Sequence, residues 1–276
     1  MNNEILLVDK PAGVSSFGVV ARVRRELSEQ AGMVEVKGKD GVIRQKRKKV
    51  KVGHTGTLDP FATGLLILLT GKGTKRANEF LKLDKEYVAT IRLGMVSSTG
   101  DIEGEIIPFN RAQLDNLSSS GHDVAASRRY GCGASSSSLV SSGDSRKENY
   151  QAGYSQADIS PSRARVEEVV AGFVGEIEQT VPAYSAVKIN GQRAYKLARE
   201  GKQVEMPTRK VKIYEIEILK YEWPELTIRC KVSSGTYIRA LGEDIGKALG
   251  VGGYLTELRR TQVGEYRVED ARKIEK

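Results

Sequence analysis

One carboxylate in the chain stands in a setting that suits chemistry. Asp59 lies within the stretch Gly53–Leu66, which reads GHTGTLDPFATGLL and contains three glycines. Glycines let a backbone bend sharply and let a ligand approach closely, and Pro60 restricts Asp59 to extended backbone geometry. We therefore expect the carboxylate to be held in place, either as a reactive group or within an Asp-Pro turn that caps nearby backbone amides.

The remaining composition narrows the chemistry available to this carboxylate. The chain of 276 residues has two histidines, His54 and His122, and two cysteines, Cys132 and Cys230, which form no C-x-x-C pattern. Such a set offers little material for a zinc or redox site. The formal net charge of +9 favours a polyanionic partner, with nucleic acid first and an anionic membrane surface second.

The apolar pattern predicts a cytoplasmic protein. No apolar run approaches the roughly 20 residues that cross a bilayer. The chain opens on Ile5–Lys10 without the charged and apolar regions of a signal peptide. The two thiols fit a reduced compartment, in which they are incidental.

Blocks of sequence along nearly the whole chain resemble one enzyme family. Besides Gly53–Leu66, the blocks are Leu7–Ser16, Lys85–Tyr87, Arg92–Gly94, Val181–Lys188 with Gly191 and Tyr195, Gly235–Arg239 and Leu258–Arg260. Their content and their order resemble the tRNA pseudouridine-55 synthase family of the TruB type, which is related to RNA-guided archaeal and eukaryotic enzymes. The resemblance implies a pseudouridine synthase fold and an isomerase.

The resemblance implies catalytic roles for three residues. Asp59 would be the catalytic aspartate, which attacks the ribose or the base or assists glycosidic cleavage. Tyr87 would stack on the target base and help to remove the C5 proton, although an aromatic residue facing the core would fit the same strand. Arg239 would pair with Asp59 and keep it ionised, since a nearby cation lowers the pKa of a carboxyl group; the alternative for Arg239 is a solvated helix face.

Further residues are implied to bind the substrate or to shape its pocket. His54 resembles a family histidine that helps to hold the flipped RNA, and the alternative is a loop histidine with its own hydrogen-bond partner. Asp101 stands where the family has an acid. The complete set of implied substrate-binding residues is Gly53, His54, Thr55, Asp101, Tyr184 and Lys188.

The implied reaction isomerises a uridine in the T-arm loop of tRNA, at position 55, to pseudouridine. The base must leave its stack, which costs on the order of a few kcal/mol, and a hairpin loop releases a base more easily than a duplex. The reaction has no net redox change or hydrolysis, so the resemblance implies neither cofactor nor metal. The expected partner is the T-arm stem-loop, bound by a monomer, with no membrane partner.

Three other functions would account for part of the sequence. A catalytically idle tRNA-binding or folding chaperone on the same fold would explain the basic charge, but binding alone needs no carboxylate beside phosphates. A subunit of a guide-RNA particle would be expected to carry a further RNA-binding module. A membrane-surface protein would be expected to carry a strongly amphipathic basic helix, which the sequence lacks.

Strands and helices must position these residues. Strands are expected at Ile5–Val8, Val50–Val52, Gly64–Thr70, Tyr87–Leu93, Lys210–Tyr221 with a bulge near Tyr214, and Leu226–Val232. Helices are expected at Phe17–Leu27 with Ser15 or Ser16 as cap, Thr74–Leu81, Val166–Phe173, Ala194–Glu200 and Thr236–Leu249. Many strands among fewer helices predict an α+β fold with a mainly antiparallel mixed sheet flanked by helices.

Two segments interrupt this pattern. The basic segment Val34–Lys51 contains eight lysines and arginines and two acids, and it fits a hairpin or loop that either contacts RNA or is simply solvated. A Ser/Gly-rich insertion spans about residues 117–160, and its composition predicts disorder, particularly over Leu117–Tyr154. We expect a single catalytic domain over residues 1–276. Because little chain follows Gly264–Tyr266, the family's C-terminal RNA-binding module is expected to be absent or vestigial.

Overall fold

A computed structural model describes residues 4–37, 40, 42–109, 160–189, 191–202 and 204–274. The strands are β1 (Ile5–Lys10), β2 (Met33–Lys37), β3 (Ile43–Arg47), β4 (Val52–His54), β5 (Thr63–Thr70), β6 (Lys85–Leu93), β7 (Met95–Ser97), β8 (Ile106–Pro108), β9 (Gly175–Thr180), β10 (Lys188–Ile189), β11 (Gln192–Arg193), β12 (Thr208–Glu222), β13 (Glu225–Val232), β14 (Gly253–Val263), β15 (Tyr266–Arg267) and β16 (Arg272–Lys273). The helices are α1 (Ser16–Gln30), α2 (Ala77–Leu81), α3 (Arg163–Ala171), α4 (Ala194–Arg199) and α5 (Ile238–Ala248), with 3-10 turns at Gly71–Arg76 and Val268–Asp270.

A ten-stranded mixed sheet forms the centre of the molecule. Its strand order is β16-β1-β5-β14-β6-β13-β12-β9, with β4 beside β5 and β15 beside β14. The pairs β1–β16 and β5–β14 are parallel, and the other pairs of this sheet are antiparallel. The strand pairs β2–β3, β7–β8 and β10–β11 form separate hairpins. The predicted α+β fold with a mainly antiparallel sheet is confirmed.

Helices cover the sheet in two places. Helices α3 and α5 pack on β6, β12, β13 and β14, in a cluster that includes Val166, Leu241 and Ile228. Helix α1 packs on β1 and β5 through Val19, Val20 and Val23. In the described part of the chain, no helix combines the length and the apolar character that spanning a membrane would require.

Strand β5 is apolar throughout because both of its faces are buried. Leu66 and Leu68 face the cluster under α1, whereas Leu65, Ile67 and Leu69 face a third cluster with Phe80. Alternate residues of a strand point to opposite faces, so a continuous apolar run is what such a central strand requires. The expected strand at Gly64–Thr70 is confirmed, with Thr63 added.

Several boundaries agree with the sequence and others move by a few residues. Ser15 caps α1 by accepting a hydrogen bond from the backbone nitrogen of Gly18 at 3.0 Å, and the register of β12 shifts around Tyr214 as expected for a bulge. Helix α5 begins at Ile238 rather than Thr236 because Tyr237 is extended. The expected helix at Thr74–Leu81 is instead a 3-10 turn followed by the short helix α2.

Strand β14 is a central strand that the sequence pattern did not reveal. Its register against β6 shifts between Leu255 and Glu257 and again between Arg260 and Gln262. Each shift breaks the alternation of apolar and polar residues by which a half-buried strand is recognised. The Ser/Gly-rich insertion predicted at about residues 117–160 lies outside the described residues except for Ser160, as do His122 and Cys132.

Candidate active site

Asp59 lies on the loop between β4 and β5, and hydrogen bonds fix the residues on both sides of it. The hydroxyl of Ser16, at the start of α1, accepts from the backbone nitrogen of Leu58 at 2.8 Å and donates to its carbonyl oxygen at 2.9 Å. On the other side, the ammonium group of Lys10 donates to the carbonyl oxygen of Pro60 at 3.0 Å. The carboxylate therefore belongs to a clamped loop, as expected.

Lys10 is the buried centre of this clamp. Its side chain is fully buried at the end of β1, and it also donates to the carbonyl oxygens of Pro11 at 3.0 Å and Val14 at 2.6 Å. Burial lowers the pKa of Lys10 to about 8, although the nearby Asp59 carboxylate opposes this shift. A positive charge is thus kept next to the loop by three carbonyl oxygens and one carboxylate.

Arg260 ties the same loop to the sheet from the opposite side. Its guanidinium donates to the carbonyl oxygens of Leu65 at 2.7 Å and Gly56 at 3.2 Å. Strands β14 and β5 come so close here that a Cβ atom on Gly64 would lie 2.2 Å from the carbonyl oxygen of Arg260. Gly64 also has a φ of +102°, so glycine is required at this crossing.

The structure places Arg239 directly against Asp59, 180 residues away in sequence. The Nε atom of Arg239 lies 3.0 Å from Asp59 Oδ2, and its Nη2 atom lies 3.5 Å from Asp59 Oδ1. The Arg239 side chain is only 5% exposed, whereas that of Asp59 is 33% exposed. The guanidinium therefore supports the carboxylate from behind and leaves one side of it open to solvent.

All three nitrogens of the Arg239 guanidinium have oxygen partners. Besides the contacts to Asp59, Nη1 donates to the carbonyl oxygen of Thr99 at 2.8 Å and lies 3.3 Å from Asp101 Oδ2. Nη2 donates to the carbonyl oxygen of Tyr184 at 2.8 Å. A guanidinium is planar, with donors on all three nitrogens, and here each of the three nitrogens has an oxygen partner. The solvated helix face, which was the alternative for Arg239, does not apply.

Opposing effects set the ionisation of Asp59. Burial raises the pKa of its carboxyl group above the ordinary value, and the negative charge of Asp101 adds to the rise. The Arg239 guanidinium opposes burial most strongly, and Lys10 also lowers this pKa. Arg239 therefore acts in the expected direction, but the effect of burial is larger and the net shift is upward.

Asp101, expected to bind substrate, lies behind Arg239 rather than at the open side. Its side chain is 3% exposed and accepts hydrogen bonds from the hydroxyl of Thr99 at 2.6 Å and the backbone nitrogen of Glu103 at 2.9 Å. The structure therefore gives it the position of a second carboxylate for the guanidinium. Tyr184 likewise meets Arg239 through its backbone carbonyl.

Tyr87 lies on β6 in the same buried cluster as Leu58 and Phe61, the neighbours of the Asp59 loop. Its side chain is 8% exposed, and it pairs across the sheet with Cys230 on one side and Arg260 on the other. The aromatic ring thus belongs to the core beneath the site. Its contact with a target base stays a prediction.

The other expected substrate-binding residues occupy different positions. The hydroxyl of Thr55 is turned inward and donates to the carbonyl oxygen of Ile67 at 3.4 Å, whereas Gly53 pairs with Leu69 in the β4–β5 ladder. Burial lowers the pKa of His54 and Arg260 adds to this effect, and its buried Nδ1 has no hydrogen-bond partner among the described residues. Lys188 is exposed on the β10–β11 hairpin. Their roles stay predictions.

Three contributors to the site were not recognised from the sequence: Lys10, Ser16 and Arg260. Lys10 and Arg260 stand in the family-like blocks, but a lysine or arginine in a short motif normally reads as a surface residue. The only role predicted for Ser16 itself was that of a helix cap. In the described ranges, no three histidine, cysteine, aspartate or glutamate side chains are grouped so that they could hold a metal ion.

Two family profiles together match most of the chain. A profile described as "TruB family pseudouridylate synthase (N terminal domain)" matches residues 44–127 and 120–238. A profile described as "tRNA pseudouridylate synthase B C-terminal domain" matches residues 239–276, which include Arg239 and Arg260. The division into domains that the sequence suggested, including a missing C-terminal module, stays a prediction.

Named relatives and a solved structure are also similar to the chain. The "tRNA pseudouridine synthase B" of Bacteroides thetaiotaomicron is 41% identical over 271 residues, or 97% of this chain and 88% of the relative. That of Francisella philomiragia is 38% identical over 270 residues, or 98% of this chain and 68% of the relative. A structure described as "Crystal Structure of a Cbf5-Nop10-Gar1 Complex" is 25% identical, with a TM-score of 0.56 over 98% of this chain. The chain spans about half (52%) of that solved chain, and the likeness confirms the expected fold.

Proposed function

We propose that this chain, which belongs to the TruB family of pseudouridylate synthases, isomerises a uridine of tRNA to pseudouridine at position 55 of the T-arm loop. The family is established by the matches over nearly the whole chain. The target position and the residue roles are inferences from the site.

The reaction exchanges one bond of the base for another. The bond between N1 of uracil and C1′ of the ribose breaks, the base rotates, and a bond forms between C5 and C1′. The C5 proton passes to solvent, and N1 takes up a proton. No electrons are gained or lost and no water is consumed, so we propose that neither cofactor nor metal takes part.

One observation carries the proposal: a carboxylate that is fixed, paired and still open on one side. Asp59 is clamped through its neighbours by Ser16 and Lys10 and paired with the buried Arg239, yet a third of its side chain remains exposed. A carboxylate that only capped a turn would not require a buried guanidinium beside it. We propose that Asp59 attacks the ribose or the base, or assists glycosidic cleavage.

Arg239 and Tyr87 serve this carboxylate in different ways. Because burial favours the protonated form of Asp59, the guanidinium counteracts a shift that would remove the charge needed for attack. Tyr87, beneath the loop, would meet the flipped base and help to remove its C5 proton. His54, neutral near pH 7 because burial lowers its pKa, would contact the RNA beside the base.

The RNA partner follows from the same requirements. A base must leave its stack to reach a carboxylate in a pocket, and this step is less costly in a loop than in a duplex. The net charge of +9 favours phosphate contacts whose strength depends on salt. We propose that a monomer acts on the T-arm stem-loop in the cytoplasm.

A tritium-release assay tests the proposal. A tRNA transcript labelled at C5 of uridine should lose tritium to water on incubation with the protein, because C5 exchanges its proton for the ribose. A matched transcript with cytidine at position 55 should release only the background amount. Tight binding of the transcript without tritium release would support the idle chaperone instead and would sink the enzymatic proposal.

A further inference from the structure

The β2–β3 hairpin and the segment after it form a basic surface apart from the loop that carries Asp59. Arg44 pairs with Asp40 and Arg47 pairs with Glu29. Within the described ranges, the ammonium groups of Lys46, Lys49 and Lys51 have neither an ion pair nor a hydrogen bond, and all three residues are exposed. Unpaired cations thus dominate this surface.

The surface is held against the end of α1 by three contacts. Arg47 Nη1 lies 3.0 Å from Glu29 Oε1, and the backbone nitrogen of Lys48 donates to the carbonyl oxygen of Gly32 at 3.0 Å. The hydroxyl of Ser28 accepts from the backbone nitrogen of Val50 at 3.1 Å. The lysines are therefore presented from a defined place on the molecule.

Core packing does not account for the hairpin. Met33 is 58% exposed and Ile43 is 63% exposed, and the strands pair only with each other. A two-stranded hairpin without a core is marginal by itself. The segment is thus better explained by what it presents to a partner than by what it adds to the fold.

Helix α1 separates this surface from the loop that carries Asp59. Ser16 in the first turn of α1 bonds Leu58, the neighbour of Asp59, and Ser28 in its last turn bonds Val50. Twelve residues of α-helix span about 18 Å. The basic surface therefore lies well beyond the reach of the flipped base.

We propose that this surface, made of Lys46, Lys49 and Lys51, binds the phosphate backbone of the substrate RNA stem, outside the target loop. The proposal rests on the proposed function, because it takes the RNA held at Asp59 as the partner. At about 3 Å per base pair, 18 Å corresponds to roughly six base pairs of stem. An anionic membrane would meet the same charges, but the RNA site at the other end of α1 favours a nucleic acid.

The test compares two variants with equal loss of charge. Lys49→Gln/Lys51→Gln removes two cations of the surface. The control, Lys210→Gln/Lys231→Gln, removes two exposed lysines from β12 and β13, which lie four and three strands from β5. Strands are about 4.8 Å apart, so the control charges sit on the other half of the sheet.

We expect the Lys49→Gln/Lys51→Gln variant to bind the T-arm stem-loop roughly tenfold more weakly than wild type at about 0.1 M salt. The slope of log affinity against log salt should flatten by about 1 to 2, since each phosphate contact contributes roughly 0.9. The control should match wild type. Turnover at saturating RNA should stay unchanged in both, because neither variant alters the site.

Stem length provides a second readout. A stem cut to about four base pairs reaches only about 12 Å from the loop, so wild type and Lys49→Gln/Lys51→Gln should bind it equally. The inference is overturned if the variant and the control lose affinity equally, or if the variant's defect is as large on the short stem. It is also overturned if the substitution weakens binding to phosphatidylserine vesicles and leaves RNA binding intact. Absence of tritium release by the wild type would instead defeat the proposed function.

Discussion

The geometry of the site depends on which acceptors the N–H groups of Arg239 contact. Arg239 offers Asp59 the edge formed by Nε and Nη2, while Nη1 turns to Asp101 and Thr99. Its single positive charge thus lies between two carboxylates. Asp101 is buried, whereas Asp59 is partly open to solvent.

Arg239→Lys is expected to abolish most activity without unfolding the protein. A lysine retains the charge but cannot reproduce the planar arrangement that reaches two carboxylates and two carbonyl oxygens. We expect kcat/KM to fall at least about tenfold, or roughly 1.4 kcal/mol, with circular dichroism and melting little changed. Combining Asp59→Asn with Arg239→Lys should be scarcely worse than Asp59→Asn alone, since residues that act as a unit are not additive. Full activity of Arg239→Lys would show that the planar guanidinium is not required.

Asp101→Asn should move the acidic limb of the pH–activity profile to lower pH. The negative charge of Asp101 raises the pKa of Asp59, so its removal should lower that pKa and keep Asp59 ionised in more acidic solution. The profile of single-turnover rate against pH is the measurement. Glu105→Gln, at an exposed residue nearby in sequence, serves as the control and should leave the limb in place; a shift of the Asp101→Asn limb to higher pH would refute the coupling.

At the scale of residues, the sequence indicated the central carboxylate better than the side chains that hold its loop. The setting of Asp59 was visible in its glycines and in Pro60, and the family resemblance placed Arg239 beside it. Nothing in the residue types distinguished Lys10, which is fully buried, from the exposed Lys49. A buried lysine is identified only once the carbonyl groups around it are known, because these come from three separate residues.

Among the elements, α5 carries both Arg239 and, one turn later, the half-buried acid Glu243. Burial raises the pKa of Glu243 to about 7, with the neighbouring Asp244 adding to the rise and Lys247 and Arg239 opposing it. A raised pKa in a folded carboxyl group means that the unfolded chain gives up its proton more readily. Glu243 therefore destabilises the fold increasingly as pH rises from about 4.5 to about 7.

Glu243→Gln is accordingly expected to stabilise the protein more at pH 8 than at pH 5. The amide keeps the shape without the buried charge, and the gain in the free energy of unfolding should be roughly 2 to 3 kcal/mol larger at pH 8. Denaturant unfolding at both pH values measures it. Equal gains in the free energy of unfolding at the two pH values would contradict a raised pKa of Glu243 in the folded protein.

Strands were predictable from the sequence where their apolar pattern is regular, and they were not where the pattern is interrupted. Strand β5 was recognised because both faces are covered and its apolar run is continuous. Strand β14 was not predicted because two register shifts interrupt its apolar pattern. In addition, it has arginines at positions where a buried strand normally has apolar residues. Those arginines are tolerated since Arg260 bonds backbone carbonyls and Arg259 pairs with Asp9 at 2.8 Å.

The whole molecule joins two halves at the parallel pair of β5 and β14. Asp59 comes from the loop before β5, which Ser16 of α1 bonds at Leu58, and Arg239 comes from α5, which packs on β6 and β13. Arg260 crosses the boundary to bond the loop of Asp59. Strands from both halves of the sheet therefore contribute to the site, in which residues 180 positions apart share one ion pair.

We propose that Asp59 is the residue on which the reaction depends most. Asp59→Asn tests this most directly, because Arg239 keeps Asp101 as a partner and the fold should be retained. With tRNA labelled at C5 of uridine, we expect the variant to bind as tightly as wild type and to release tritium at no more than about a thousandth of its single-turnover rate, or roughly 4 kcal/mol in barrier. Equal binding with release within about tenfold of wild type, or roughly 1.4 kcal/mol, would contradict the assignment of Asp59.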